Sequence, residues 1–180
     1  MGILQRLSRW VGSSKKMTTI VDGQSAPDFS LKSSDGTEYS LSKLLKQGPV
    51  FVSFFKVSCP VCQFTFPFLE RLYERYGSKD VTLLGISQDD ARATKEFADE
   101  YGVTFPIALD AEGYPASNAY GLTNVPTSVL IATDGSVKIA SMGFNKKDLE
   151  TVAAELSQRH KIPLSALFRP DESVPTNRPG

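Results

Sequence analysis

Apolar positions along this chain follow two periods. Val50–Phe55 reads Val-Phe-Val-Ser-Phe-Phe, a nearly unbroken apolar run of the kind a strand shows when both its faces are covered. Val81–Ser87 (VTLLGIS) has the same character. Between them Phe68, Leu69, Leu72 and Tyr76 recur at helical spacing and predict a helix from about Pro60 to Tyr76. Upstream, Phe29–Lys32 and Thr37–Tyr39 flank Ser33-Ser34-Asp35-Gly36, a β-hairpin pattern, and a short helical piece follows at Leu41–Leu45 before Gly48-Pro49. Downstream, Thr94, Phe97, Ala98 and Tyr101 mark a helix that Gly102 is placed to end. Phe105–Asp110 predicts a short strand and Ser117–Tyr120 part of a small helix. Thr127–Ala132 and Ser136–Met142 are strands joined across Asp134-Gly135. The last helix has Asn145 as its N-cap and Leu149, Val152, Ala153 and Leu156 as its buried stripe.

Strand, helix and strand followed by a hairpin and a covering helix imply an α/β fold. It should be a three-layer α/β/α sandwich with a central mixed sheet and an N-terminal β-hairpin. Ordered sequence is expected to begin near Ala26. Beyond Lys161, Pro163, Pro170, Pro175 and Pro179 occur without periodicity. That stretch reads as an irregular tail, anchored by Leu164, Leu167 and Phe168. The expected organisation is an N-terminal tail over 1–24, one domain over 25–161 and a Pro-rich tail over 162–180.

Composition narrows the functional classes. Lys+Arg and Asp+Glu both number 20 in 180 residues, so the chain carries no net charge that would mark nucleic acid as a partner. No run has the apolar length of an integral membrane segment. The first 17 residues are acid-free, with Ile3, Leu4, Leu7, Trp10 and Val11 on one helical face, and read as a loose tail or a short amphipathic helix. They lack a secretory pattern, and a cytoplasmic location is the expectation.

The two cysteines stand three apart in Cys59-Pro60-Val61-Cys62, too close to staple distant segments. Cys59 follows the first buried strand and a short turn and opens a helix. Unpaired backbone N–H groups and the helix dipole there favour a thiolate, the attacking species in disulfide exchange. Pro60 suits the first helical turn, where its missing N–H is no loss. Lys56 adds positive charge nearby in sequence. Cys62 lies one turn further on, placed to attack a mixed disulfide on Cys59. Tetrahedral zinc would need two more ligands, and the one histidine, His160, falls at the end of the last helix, so no metal and no cofactor are expected.

Several pieces together resemble the redoxin branch of the thioredoxin superfamily, the alkyl hydroperoxide reductase/TlpA-like proteins, from about Ala26 to His160. They are Ala26-Pro27-Asp28-Phe29, the Cys-x-x-Cys after a strand and Pro67 five residues past Cys62. Tyr101-Gly102-Val103-Thr104-Phe105-Pro106 and Val125-Pro126-Thr127 complete the set. The resemblance implies a thioredoxin-like fold and thiol–disulfide exchange, with Cys59 as nucleophile and Cys62 as resolving thiol. It also implies a cis bond at Val125–Pro126, with Val125, Pro126 and Pro60 beside the docking partner. The partners would be a disulfide-bearing client protein or small thiol and a dithiol reductant.

The chain departs from the pattern in ways that bear on activity. Ser58 precedes Cys59 where thioredoxins carry Trp. Ser53 and Thr65 occupy the two positions at which relatives place a buried acid, so neither supplies a carboxylate for the Cys62 proton. The alternative is a thiol-dependent peroxidase. The Pro and Thr or Ser that a peroxiredoxin places seven and three residues before its reactive cysteine are replaced, counting from Cys59, by Val52 and Lys56. Its later Arg is also missing. A metal-handling protein of the same fold is the reading from another class, and it lacks a partner histidine near the pair.

Overall fold

The structure, a computed structural model, describes residues 19–77 and 80–180; the amphipathic pattern over residues 1–17 lies outside them. The hairpin around Ser33–Gly36 forms as β1 (Ser30–Lys32) and β2 (Glu38–Ser40), followed by α1 (Leu41–Leu44). The chain then alternates through β3 (Val50–Phe55), α2 (Pro60–Tyr76), β4 (Thr82–Ser87), α3 (Ala91–Tyr101), β5 (Ile107–Leu109) and α4 (Pro115–Ala119). It closes with β6 (Thr127–Ile131), β7 (Val137–Met142), β8 (Phe144–Asn145), α5 (Lys146–His160) and β9 (Asn177–Arg178).

Among the described residues, seven strands make one mixed sheet in the order β2-β1-β5-β4-β3-β6-β7. β3 pairs in parallel with β4 and antiparallel with β6, so it is hydrogen-bonded on both edges. All its residues are buried, and its alternation divides the core. Phe51 and Phe55 pack with α2, α3 and α5 through Phe66, Leu69, Phe97, Val152 and Leu156. Val50, Val52 and Phe54 face the other layer, with Leu41 of α1 and Ala116 and Tyr120 around α4. Two apolar faces on one strand explain why the sequence pattern there is continuous instead of alternating.

The helix ends follow local chemistry. Gly102 closes α3 in the left-handed region at φ 64°, a conformation costly for a residue with a Cβ. Asn145 caps α5 by accepting from the Asp148 N–H at 3.2 Å. Pro67 sits inside α2, and the helix runs on through it to Tyr76. Buried Glu70 binds this helix to the segment before β5, accepting from the Thr104 N–H at 2.7 Å and from the Thr104 hydroxyl.

The described residues on either side of the central domain are held more firmly than the sequence pattern implies. Ahead of Ala26, Ile20 is buried and residues 23–26 bond to β7 and its turn, as in Gly23 N–H to Val137 O at 2.8 Å. Residues 162–176 are irregular, as expected, but lie packed across α2, and the two residues that follow form β9, which pairs with β8. Leu167 and Phe168 are buried, whereas Leu164, an expected anchor, is 61% exposed. Phe168 packs against Phe68 in a tilted pair and against Phe144 edge-to-face, with centroids 4.9 and 6.0 Å away. Arg71 of α2 forks onto Glu172 at 2.8 and 2.5 Å, and Arg75 donates to the carbonyls of Ser165 and Ala166. A two-residue strand has no period to read, and Pro spacing conceals a segment held by side chains.

This docking makes a test. Phe168→Ala should cost about 3 kcal/mol or more of unfolding free energy, while Leu164→Ala should stay within about 0.5 kcal/mol. Urea unfolding of both variants measures it. Equal, near-zero effects would mean that the segment does not pack as described.

Candidate active site

β3 delivers the chain to the open end of the sheet, and residues 56–58 turn it into α2. The turn is tied at several points. The Cys59 N–H donates to Lys56 O at 3.1 Å, the Gln63 side-chain amide to Val57 O at 2.9 Å, and the Val57 N–H to Asp89 Oδ2 at 2.8 Å. Cys59 is the N-cap of α2, with Pro60 behind it in the first turn. Its sulfur takes the place of a capping oxygen and accepts the Cys62 N–H at 3.4 Å.

The two sulfurs sit in different environments. Cys59 is partly exposed, and Cys62 is fully buried against the Phe-rich face of the core. Both are free thiols. Burial pushes the Cys62 thiol well above its ordinary value. The backbone amide of Lys56 opposes this, and the adjacent Cys59 sulfur and the charge of Asp89 add to the upward push. At neutral pH Cys62 therefore keeps its proton, which leaves Cys59 as the sulfur of the pair able to meet an incoming disulfide.

The loop before β6 closes the other side of the site. The Cys59 thiol donates to the Val125 carbonyl at 3.3 Å, although 66 residues separate them. The Val125–Pro126 peptide is cis, and the Pro126 carbonyl accepts from the Gly143 N–H at 2.7 Å. Val125 is half-buried, Pro126 is buried and Pro60 is exposed at the rim. The structure thus brings Cys59, Cys62, Pro60 and Val125-Pro126 together. Lys56 stands exposed on the turn.

Neither position where relatives place a buried acid supplies a carboxylate, and both hydroxyls are engaged elsewhere. Ser53 is paired with Ser128 across β3 and β6 at 2.9 Å, and the Thr65 hydroxyl donates to Val61 O at 2.6 Å within its own helix. The carboxylate whose charge reaches Cys62 is Asp89, which sequence reasoning missed because it lies beyond β4 and only folding places it beside the Cys59 turn. The Ser-Gln-Asp-Asp end of a buried strand was its one visible signal. His160 ends α5 beside Arg159, whose guanidinium lies against Gly48 at the entry to β3, the opposite end of that strand from Cys59. Among the described residues no group of three or more His, Cys, Asp or Glu is placed to hold a metal, and no helix is long and apolar enough to cross a membrane.

The model of the family described as Redoxin matches residues 21–156. The chain belongs to the Redoxin family. Its relatives include the thiol-disulfide oxidoreductase ResA of Geobacillus thermodenitrificans, 33% identical over 74% of this chain and 76% of that protein. The thioredoxin-like protein YneN of Bacillus subtilis is 32% identical over 76% of this chain and 81% of its own length. Among solved structures, a thiol:disulfide interchange protein of the thioredoxin family from Chlorobium tepidum superposes with a TM-score of 0.62 at 26% identity. That match covers 77% of this chain and 99% of the other. The fold of this redoxin is accordingly thioredoxin-like, and its relatives support a thioredoxin-like oxidoreductase activity.

The state of Cys62 sets a pH dependence. The native protein holds this proton where the unfolded chain releases it near the ordinary thiol value of about 8.5, so the unfolded state binds fewer protons at high pH. The resulting stability is complete below that value and lost as pH rises beyond it. Reduced wild-type protein should lose stability more steeply than Cys62→Ala between about pH 8 and 10, by up to about 1.4 kcal/mol per unit. Parallel slopes in urea titrations would show that Cys62 is not held protonated.

Proposed function

We propose that the chain is a thiol–disulfide oxidoreductase that reduces client disulfides through Cys59, with Cys62 resolving the intermediate. The observation that carries this reading is the asymmetry of the pair: one sulfur partly exposed at a helix N-terminus, the other buried one turn behind it with its backbone N–H on the first. The Cys59 sulfur, as thiolate, attacks one client sulfur, forming a mixed disulfide, and the other leaves as thiolate and takes up a proton. Cys62 then gives up its proton to solvent and attacks the Cys59 sulfur. The Cys59–client bond breaks and the client leaves reduced. Two electrons have passed to it, and a Cys59–Cys62 disulfide remains for a dithiol reductant to reopen.

Val125 supports the client side of this reading. Its backbone meets the Cys59 sulfur directly, where an extended peptide beside the loop would bring its own disulfide. Peroxide chemistry needs donors aimed at the leaving oxygen. Around Cys59 the structure supplies the Cys62 N–H as donor, and the residues at the two peroxiredoxin positions are a buried strand valine, Val52, and an exposed Lys56.

The reduced protein should therefore cleave a protein disulfide about a hundredfold faster, or more, than it consumes hydrogen peroxide. Stopped-flow rates for both oxidants, with a Cys59→Ser control, measure the ratio. Rapid, Cys59-dependent peroxide consumption would assign the chain to the peroxidases instead.

A further inference from the structure

The end of the chain lies on the surface that a client would need. Residues 162–175 lead across α2, held by the buried Leu167 and Phe168 and by Arg71 on Glu172. The Lys146 N–H then donates to Thr176 O at 2.9 Å, and Asn177 and Arg178 pair antiparallel with Asn145 and Phe144. The Arg178 guanidinium sits 3.8 Å from the centroid of Phe64, two residues past Cys62 on the redox helix. From there the backbone crosses Gly143, so closely that a methyl group on that glycine would fall 2.3 Å from Arg178 O. It reaches Val125, where a methyl on Gly180 would fall 2.4 Å from the carbonyl oxygen. That oxygen also accepts the Cys59 thiol. Gly180 and Cys59 thus flank one backbone carbonyl.

We propose that residues 177–180 are a built-in occupant of the client groove, a strap that an extended client peptide must displace before its disulfide reaches Cys59. The proposal rests on the exchange function argued above. An extended segment paired with the β8 edge and laid over Gly143 and Val125 is the geometry of strand addition, the mode by which a sheet edge takes a peptide. The strap has the properties of a displaceable element. Its own residues are exposed, its pairing is two residues long, and one cation–π contact completes it. The Phe168 and Glu172 anchors, in contrast, are firmly docked and keep the strap at high effective concentration over the groove. A small disulfide needs only the exposed Cys59 sulfur, so the strap screens clients by size and extension.

A competitor tethered to the groove lowers apparent client affinity by the fraction of time the groove is open. Ending the chain at Thr176 should therefore raise kcat/KM for insulin reduction about fivefold or more, through KM. The rate with glutathione disulfide should change by less than about twofold. Arg178→Ala, which keeps the chain intact, should move insulin reduction in the same direction by a smaller factor and so covers the case of a truncated chain that folds poorly. A peptide of residues 174–180 should inhibit the truncated protein competitively toward insulin and leave glutathione disulfide untouched. Insulin kinetics unchanged or slowed in both variants, or both substrates accelerated equally, would overturn the strap. Failure of the full chain and of both variants to reduce either disulfide would instead remove the exchange reading, and the strap with it.

Discussion

The geometry of the cysteine pair depends on a sulfur used as a helix cap. Where an N-cap would normally offer a hydroxyl or carboxylate oxygen, α2 begins on Cys59, and the donor it receives is the N–H of Cys62 itself. One hydrogen bond thus fixes the separation of the two cysteines and presents an N–H to the outer sulfur. Pro60 helps by setting the backbone of the first turn. Once that cap is in place, Cys62 must point one turn inward, into a face of the core built from Phe55, Phe66 and Phe97. Burial there keeps it protonated, and exposure keeps Cys59 available.

The sheet supplies the rigidity this geometry needs. β3 is bonded to neighbours on both edges and covered on both faces, so the turn after Phe55 starts from a fixed point. Asp89 ties that turn to the end of β4, and the Val125 carbonyl meets Cys59 from the loop before β6. Three strands that are neighbours in the sheet therefore contribute to one site at the end where β3 and β4 finish and β6 begins. Residues 176–180 then link α2, β8 and the Val125 loop across long sequence distances.

Elements whose burial imposes a long pattern were legible in the sequence. β3 and α2 appear with the limits read from Val-Phe-Val-Ser-Phe-Phe and from Pro60 through Tyr76, and Gly102 ends α3 as its chemistry requires. The juxtaposition of Val125-Pro126 with the cysteines was legible only through family resemblance, because no local rule joins residues 66 apart. The place of Asp89 beside the Cys59 turn was hidden for the same reason, because 32 residues separate it from Val57. β8 and β9 are too short to carry a period, and nothing in the sequence distinguishes exposed Leu164 from buried Leu167. The burial of Leu167 and Phe168 is decided by Phe68, Arg71 and Arg75 on the distant helix α2, contacts that composition and spacing do not encode.

The central claim is that exposure and burial assign the two sulfurs different tasks. Trapping with single-cysteine variants tests it most directly. Incubated with a disulfide-bearing peptide, Cys62→Ser should accumulate a stable mixed disulfide that mass spectrometry locates on Cys59, because the attacking sulfur is intact and nothing resolves the bond. Cys59→Ser should remain unmodified under the same conditions, since its remaining thiol is buried and protonated. Equal trapping by the two variants, or trapping at Cys62 alone, would contradict the account.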